Sequence, residues 1–359
     1  MTDSLPQSGD EIRWDRYDDV VRALDEFFDE SGARATAHGS QYVDLWRALR
    51  RSTVGGKLFR PRMVAAVFDG LGGVQSRAVA PVGAAFELLH TALIVHDDVI
   101  DRDFVRRGRP NISGIYRDRA RSAGVDRDEA EHRGLSAAVV AGDLALFYSY
   151  RFIDRSGIDG AMRAHLLDLM DEALFASAAG ELLDLDYSGA IAIPTVESIL
   201  AMGRLKTAVY SFEVPLKAGA VLAEAPDAVV ASMGDFGREV GTAYQIVDDI
   251  LGVFGDTEVT GKSATSDLRE GKRTVLVAHA AATEVWSLIA PTFGSPQLSD
   301  DEAATLRVRL EESGARSYAE RLLADHIARA RAVLGRDHIP EPLRRTLEPL
   351  IDQVIRRGR

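Results

Sequence analysis

The chain has 359 residues, 46% of them hydrophobic and 27% charged, a composition typical of globular proteins that excludes disorder for the bulk. Lys and Arg number 43 against 55 Asp and Glu, and the resulting net charge of −12 argues against a general nucleic-acid binder or a basic membrane-surface protein. With no cysteine anywhere, disulfide scaffolds, thiolate metal sites and thiol nucleophiles are excluded together.

Residues 1–19 are acidic and lack the apolar centre of a signal peptide, and a disordered lead over residues 1–9 is expected ahead of a single domain over residues 10–359. Beyond them apolar residues recur at three- and four-residue intervals and alternating β-branched runs are scarce, which predicts an all-α chain. The expected helices cover residues 11–30, 41–51, 61–71, 76–101, 135–156, 161–188, 195–222, 226–251 and 274–289, with three more to the end. Gly55-Gly56, Gly72-Gly73, Pro194 and the stretch 252–271 separate them without any Pro- or Ser-rich linker. The charged segment 117–133 has no sustained apolar face and reads as a solvated loop. No stretch approaches the roughly 20 apolar residues of a membrane span, so no transmembrane segment is expected and the chain reads as soluble and cytoplasmic.

Two Asp-rich helix ends carry the chemistry. In the first, His96-Asp97-Asp98-Val99-Ile100-Asp101, Asp97 and Asp101 are four apart and share one helix face, with Cβ atoms about 5–6 Å apart. Carboxylates that close repel unless a cation lies between them. Oxygen-only donors without a His or Cys set suit Mg²⁺, which takes one or two carboxylates and leaves its other positions to substrate phosphates and water. The second, Val247-Asp248-Asp249-Ile250-Leu251-Gly252, repeats the arrangement with glycine in place of a third Asp. A solvated acidic helix end is the alternative for either cluster alone; the repetition weighs against it. Complementary cations stand at Lys57, Arg60, Arg106, Arg107, Lys206, Lys262 and Lys272, several beside glycines that let a backbone approach a ligand closely. Such a set is what an acidic protein needs to hold a polyanion.

These motifs resemble those of the trans-isoprenyl diphosphate synthases, or polyprenyl synthetases, and among them the bacterial geranylgeranyl diphosphate synthases. GGKxxRP stands at 55–61, DDxxD at 97–101, RRG at 106–108, KT at 206–207, QxxDD at 245–249, and GK followed by DLxxGKxT between 261 and 274. The resemblance implies a single large helical bundle of the isoprenoid synthase type with a central apolar cavity. It implies that Asp97, Asp101 and Asp248 bind two or three Mg²⁺ ions, which Mn²⁺ can replace, with Asp98 and Asp249 supporting and Asp184 near the metals. Arg106, Lys206 and Lys262 hold the allylic diphosphate in this reading; Lys57, Arg60, His90 and Arg107 grip isopentenyl diphosphate, with Gly56 allowing close approach. Thr207 and Gln245 face the reacting carbons, Tyr244 lies beside the homoallylic substrate, and Lys272 joins the substrate-binding cations.

The implied activity is head-to-tail condensation of isopentenyl diphosphate with dimethylallyl, geranyl or farnesyl diphosphate by a homodimer, giving geranylgeranyl diphosphate. The resemblance implies that Leu93 and Ala92, four and five residues before the first Asp, line the tunnel floor and that an aromatic there stops growth at fifteen carbons; neither is aromatic, so a longer product is expected. Leu89 lies about 12 Å and Phe86 about 16 Å below Asp97 along an ideal helix, and Phe86 is the candidate plug. Three positions depart from the family pattern: Glu181 for Gln, Gly252 for the third Asp, and Ser113 for His. A farnesyl or longer polyprenyl product, a terpene cyclase and a non-catalytic partner subunit are the rival readings. His96 reads as a core residue, and Phe147, Tyr148, Tyr150 and Phe152 as packing or subunit interface rather than a channel.

Overall fold

The computed structural model describes residues 16–54, 56, 58–74, 76–106, 108–189, 192–255 and 266–357. The expected disorder of residues 1–9 lies outside them. Among the described residues ten α-helices lead to the second Asp cluster: α1 (Tyr17–Ala35), α2 (Ser40–Thr53), α3 (Phe59–Gly70), α4 (Val79–Ile100), α5 (Ile112–Ser122), α6 (Arg127–Asp154), α7 (Gly160–Gly189), α8 (Val196–Gly203), α9 (Val214–Leu222) and α10 (Asp227–Phe254). A short α11 (Ser266–Glu270) follows, then α12 (Val275–Ala281), α13 (Trp286–Ile289), α14 (Asp300–Glu312), α15 (Ala315–Leu334) and α16 (Glu341–Arg357). The only strands among the described residues are β1 (Val105–Arg106) and β2 (Arg109–Pro110), paired antiparallel. The all-α expectation holds.

Helix α4 is apolar on nearly every side, and the packing uses both of its faces. Val82, Phe86 and Leu89 enter a core shared with α3, α7, α9 and α10, whereas Ala84, Leu88, Ala92 and Val95 enter one shared with α1, α2 and α6. A third apolar cluster joins the end of α10 to α8 and the C-terminal helices. The expectation that nothing here is long enough to cross a membrane needs correcting: Val79–Ile100 is, by length and composition. It is a central core helix, with two thirds of its most apolar window buried in the fold.

Three helix expectations also change. The segment 117–133 is not a loop but the end of α5, a turn at Gly124, and the start of α6. Asn111 and Asp126 cap the two helices, Arg127–Glu131 and Arg133–Glu129 bridge successive turns, and Ser113 O lies 2.4 Å from where a Cβ on Gly134 would be. Caps, i,i+4 pairs and small-residue crossing supply what an apolar stripe would otherwise give. The helix expected over 274–289 is broken into α12 and α13. The one expected over 195–222 is interrupted between α8 and α9 by a π-helical stretch, Arg204–Glu213.

Neighbouring glycines hold that wide turn in place. An ideal Cβ on Gly180 of α7 would fall 2.2 Å from the Lys206 backbone nitrogen, and one on Gly237 of α10 would fall 2.6 Å from Glu213 Cα. Buried Glu213 takes two bonds from Arg204 across the stretch, at 2.8 and 3.1 Å. Gly→Ala within an ordinary helix stabilises by about 1 kcal/mol. Here Gly180→Ala should instead lower the unfolding free energy by about 1–3 kcal/mol through overpacking. Urea denaturation reads the sign, and a stabilised variant would show that the crossing has slack.

Candidate active site

Helix α4 delivers Asp97, Asp98 and Asp101 at its C-terminal end, where the helix dipole already disfavours negative charge. The β1–β2 hairpin corrects this. Gly108 at φ 71° makes a turn that an L side chain rarely adopts, and the chain doubles back to lay Arg106 over the helix end. The Arg106 guanidinium reaches Asp98 Oδ1 at 2.6 and 2.8 Å and Asp97 Oδ2 at 3.1 Å. Asn111 ties the loop by donating from its amide to Asp103 O. Burial pushes the Asp98 carboxyl up, Arg106 opposes it, and Asp97 adds to the push.

From the opposite side, Lys206 enters on the π-helical stretch. Its ammonium lies 3.1 Å from Asp97 Oδ1, 3.1 Å from Glu181 and 2.7 Å from Asp184 Oδ2. Burial alone would lower its pKa, but Asp97, Asp184 and Glu181 outweigh that and raise it. Glu181, the unusual residue of the motif, therefore shares the Lys206 charge rather than standing unopposed. Asp101 has no cation in contact among the described residues, and burial followed by repulsion from Asp97 pushes it up to about 6.

The second cluster sits on α10. Asp249 is buried and likewise pushed up to about 6, first by desolvation, although Lys272, Gln245 and the Val275 amide all favour its charged form. Gln245 Nε2 donates to it at 3.0 Å and the Val275 amide at 3.3 Å. Desolvation would lower the Lys272 pKa, yet Asp267, Asp249, Asp184 and Asp248 raise it. Asp184 thus belongs to both clusters: it bonds Lys206 and its charge reaches Lys272.

A third group flanks these two. Arg60 donates to Ser211 Oγ at 2.6 Å and lies over the Tyr210 ring at 5.0 Å, while His90 Nδ1 is 3.3 Å from the Tyr210 hydroxyl. Tyr244 packs with Phe212 and Phe59. Thr207 is half-buried beside Lys206, and Gly56 lies near buried Glu87. Lys57, Arg107 and Lys262 lie outside the described residues. Below Asp97, Leu93, Leu89 and Phe86 face the main core, and Phe86 is fully buried; Ala92 falls instead in the cluster with α1, α2 and α6. His96 is a packing residue in contact geometry: its ring fills the space over Gly142, 3.4 Å from Asp143. Tyr148 and Phe152 pack against Phe27, and Phe147 is exposed.

Among the described residues no three carboxylates already close on a point, and in the first cluster Arg106 and Lys206 stand against Asp97. Mg²⁺ does not need such a cage when phosphate and water complete its octahedron. Acid-rich, oxygen-only donors held at helix C-termini, two of them pushed up to about 6, fit that ion. Tyr210 and Ser211, both buried, were missed in the sequence, since neither charge pattern nor helical period marks them, and Asp267, which opens the DLxxGKxT motif, was given no role there.

The family model for polyprenyl synthetase matches residues 44–301. The geranylfarnesyl diphosphate synthase of Aeropyrum pernix is 32% identical over 308 residues, covering 84% of this chain and 91% of that protein. A (2E,6E)-farnesyl diphosphate synthase of Mycobacterium bovis is 29% identical, covering 84% and 80%. The structure of a geranylgeranyl pyrophosphate synthase from Corynebacterium glutamicum, complexed with isoprenyl diphosphate and magnesium, superposes with a TM-score of 0.87 at 29% identity, covering 96% and 99% of the two chains. With its acid clusters and their cations arranged on that helical fold, the chain belongs to the polyprenyl synthetase family of prenyltransferases.

Proposed function

We propose that this chain condenses isopentenyl diphosphate with allylic diphosphates head to tail and stops at geranylgeranyl length. The carrying observation is the layering at the end of α4: Asp97 with its two cations lies directly above an apolar face of Leu93, Leu89 and Phe86. Arg106 and Lys206 are placed to receive a diphosphate, exchanging carboxylate oxygens for phosphate oxygens. Asp97, Asp101, Asp248 and Asp249, with Asp98 and Asp184 beside them, hold the divalent ions. An Mg²⁺ held by these carboxylates would supply positive charge against the diphosphate leaving group. Arg60 and His90, fixed by Ser211 and Tyr210, grip isopentenyl diphosphate together with Lys57 and Arg107; Lys262 and Lys272 complete the cation set. Thr207, Gln245 and Tyr244 line the reacting carbons, and the apolar residues below exclude water from the allylic cation. The proton lost on forming the new double bond leaves with the released diphosphate, so no protein base is required.

The same reading includes a homodimer. Val140 and Phe147 on α6, and Phe175 and Leu182 on α7, recur seven residues apart and stay exposed, Phe175 at 78% and Leu182 at 64%. Large apolar side chains in such a row mark a surface that another protein covers, and Leu182 adjoins Glu181 of the site.

Replacing Asp97 by alanine should lower turnover about 100- to 1000-fold while helicity is kept, as expected for loss of transition-state charge stabilisation. Near-normal turnover at saturating Mg²⁺ would sink the assignment. Cations bind only deprotonated carboxylates, and Asp101 and Asp249 stand at about 6 in the metal-free protein. The Mg²⁺ concentration for half-maximal turnover should therefore rise as pH falls below about 6 and flatten above it. Chromatography of products formed from each allylic primer tests chain length: wild type should stop at twenty carbons, Leu93→Phe should shorten the product and Phe86→Ala should lengthen it. If neither variant moves the product, the tunnel lies elsewhere. Light scattering on Phe175→Glu should show a monomer where the parent is a dimer.

A further inference from the structure

By sequence the second cluster is one carboxylate short, since Gly252 stands where the first cluster has Asp101. An ideal Cβ on Gly252 would lie 2.0 Å from Oδ2 of Asp267 and 2.9 Å from its Cγ. The space that any side chain at 252 would enter is thus already filled by the Asp267 carboxylate, delivered from α11. Position 252 is four residues beyond Asp248, so it lies on the same face of α10 one turn along. The Asp267 carboxylate accordingly sits on the Asp248 side of the helix, where a fifth-position Asp would begin.

The placement of α11 does not depend on that carboxylate. The Lys272 amide donates to Asp267 O at 3.0 Å, and the Gly294 amide donates to Leu268 O at 2.9 Å. Leu268 is buried in the third apolar cluster, and Arg269 donates to Leu298 O at 2.7 Å and to Asp300 at 2.9 Å. Gly271, at φ 68°, closes the turn against Gly294.

We propose that Asp267 is the third acidic group of the second cluster, serving the divalent cation and diphosphate from the place that Gly252 leaves open. The proposal rests on the prenyl-transfer reading and adds to it a carboxylate borrowed from another helix. Glycine at 252 is then not a lost ligand but the condition for Asp267 to approach.

The test is Mn²⁺ binding to the full chain in the presence of inorganic pyrophosphate, read from the paramagnetic resonance signal of free Mn²⁺, with thermal melting in parallel. Asp267→Asn keeps size and removes charge; it should weaken Mn²⁺ binding about 10- to 100-fold at an unchanged melting temperature. Gly252→Ala should weaken binding as well, by pushing Asp267 aside, and the double change Gly252→Asp with Asp267→Gly should recover most of the loss. Wild-type affinity in Asp267→Asn would overturn the proposal. So would a loss of affinity only in proportion to lost folding, which would make Asp267 a packing residue. If the parent protein itself shows no Mn²⁺ binding with pyrophosphate, the prenyl-transfer reading fails first, and the two failures are separated.

Discussion

The architecture turns on an electrostatic conflict: carboxylates are gathered where helices end, and the C-terminal end of a helix is the wrong place for negative charge. Asp97, Asp98 and Asp101 crowd the end of α4, and Asp248 and Asp249 lie near the end of α10. Left alone, the groups would repel one another and resist burial. Arg106 and Lys206 relieve the first cluster and Lys272 the second, but incompletely, as the raised carboxyls of Asp101 and Asp249 record. A site so balanced accepts further positive charge readily, and its own cations are then released toward an anion. Removing one partner from such a partly buried set costs more than the pair contributes, because the charge left behind is uncompensated.

Holding Lys206 between three carboxylates demands a backbone placed to within a fraction of an ångström, and the π-helical stretch provides it. Its wide turn brings Lys206 to the acid cluster, and Tyr210 and Ser211, four and five residues on, to His90 and Arg60. Gly180, Gly237 and Gly241 let α7 and α10 close on it at distances that no Cβ permits. Two groups of charged residues from separate parts of the chain are thereby tied to one ten-residue segment. Strain in that segment would be felt in both.

Beneath the charges, α4 separates two apolar bodies. Its Phe86 and Leu89 face belongs to the core that lies under Asp97, and its Ala84, Leu88 and Ala92 face to the small-residue crossing with α6. A helix apolar all round can serve both only if it is central, which is why the segment that could by composition cross a membrane is wrapped by helices instead.

The sequence by itself determined the helical class, the two acid clusters and most of the cations that meet them, because i,i+4 spacing and apolar period are local properties of the chain. It did not reveal the helices over 117–133, whose stability comes from caps and ion pairs rather than an apolar stripe. Nor did it reveal the π-helical interruption, on which Gly180 of α7 and Gly237 of α10 close too tightly for any Cβ. Which cation meets which carboxylate was likewise decided only by the tertiary structure. Lys206 could be seen as basic and Asp184 as acidic, but their 2.7 Å contact depends on Gly180 lying opposite the Lys206 backbone. The same holds for Asp267, fifteen residues past Gly252 and on another helix, where the occupied volume beside a glycine can be known only once both segments are folded together.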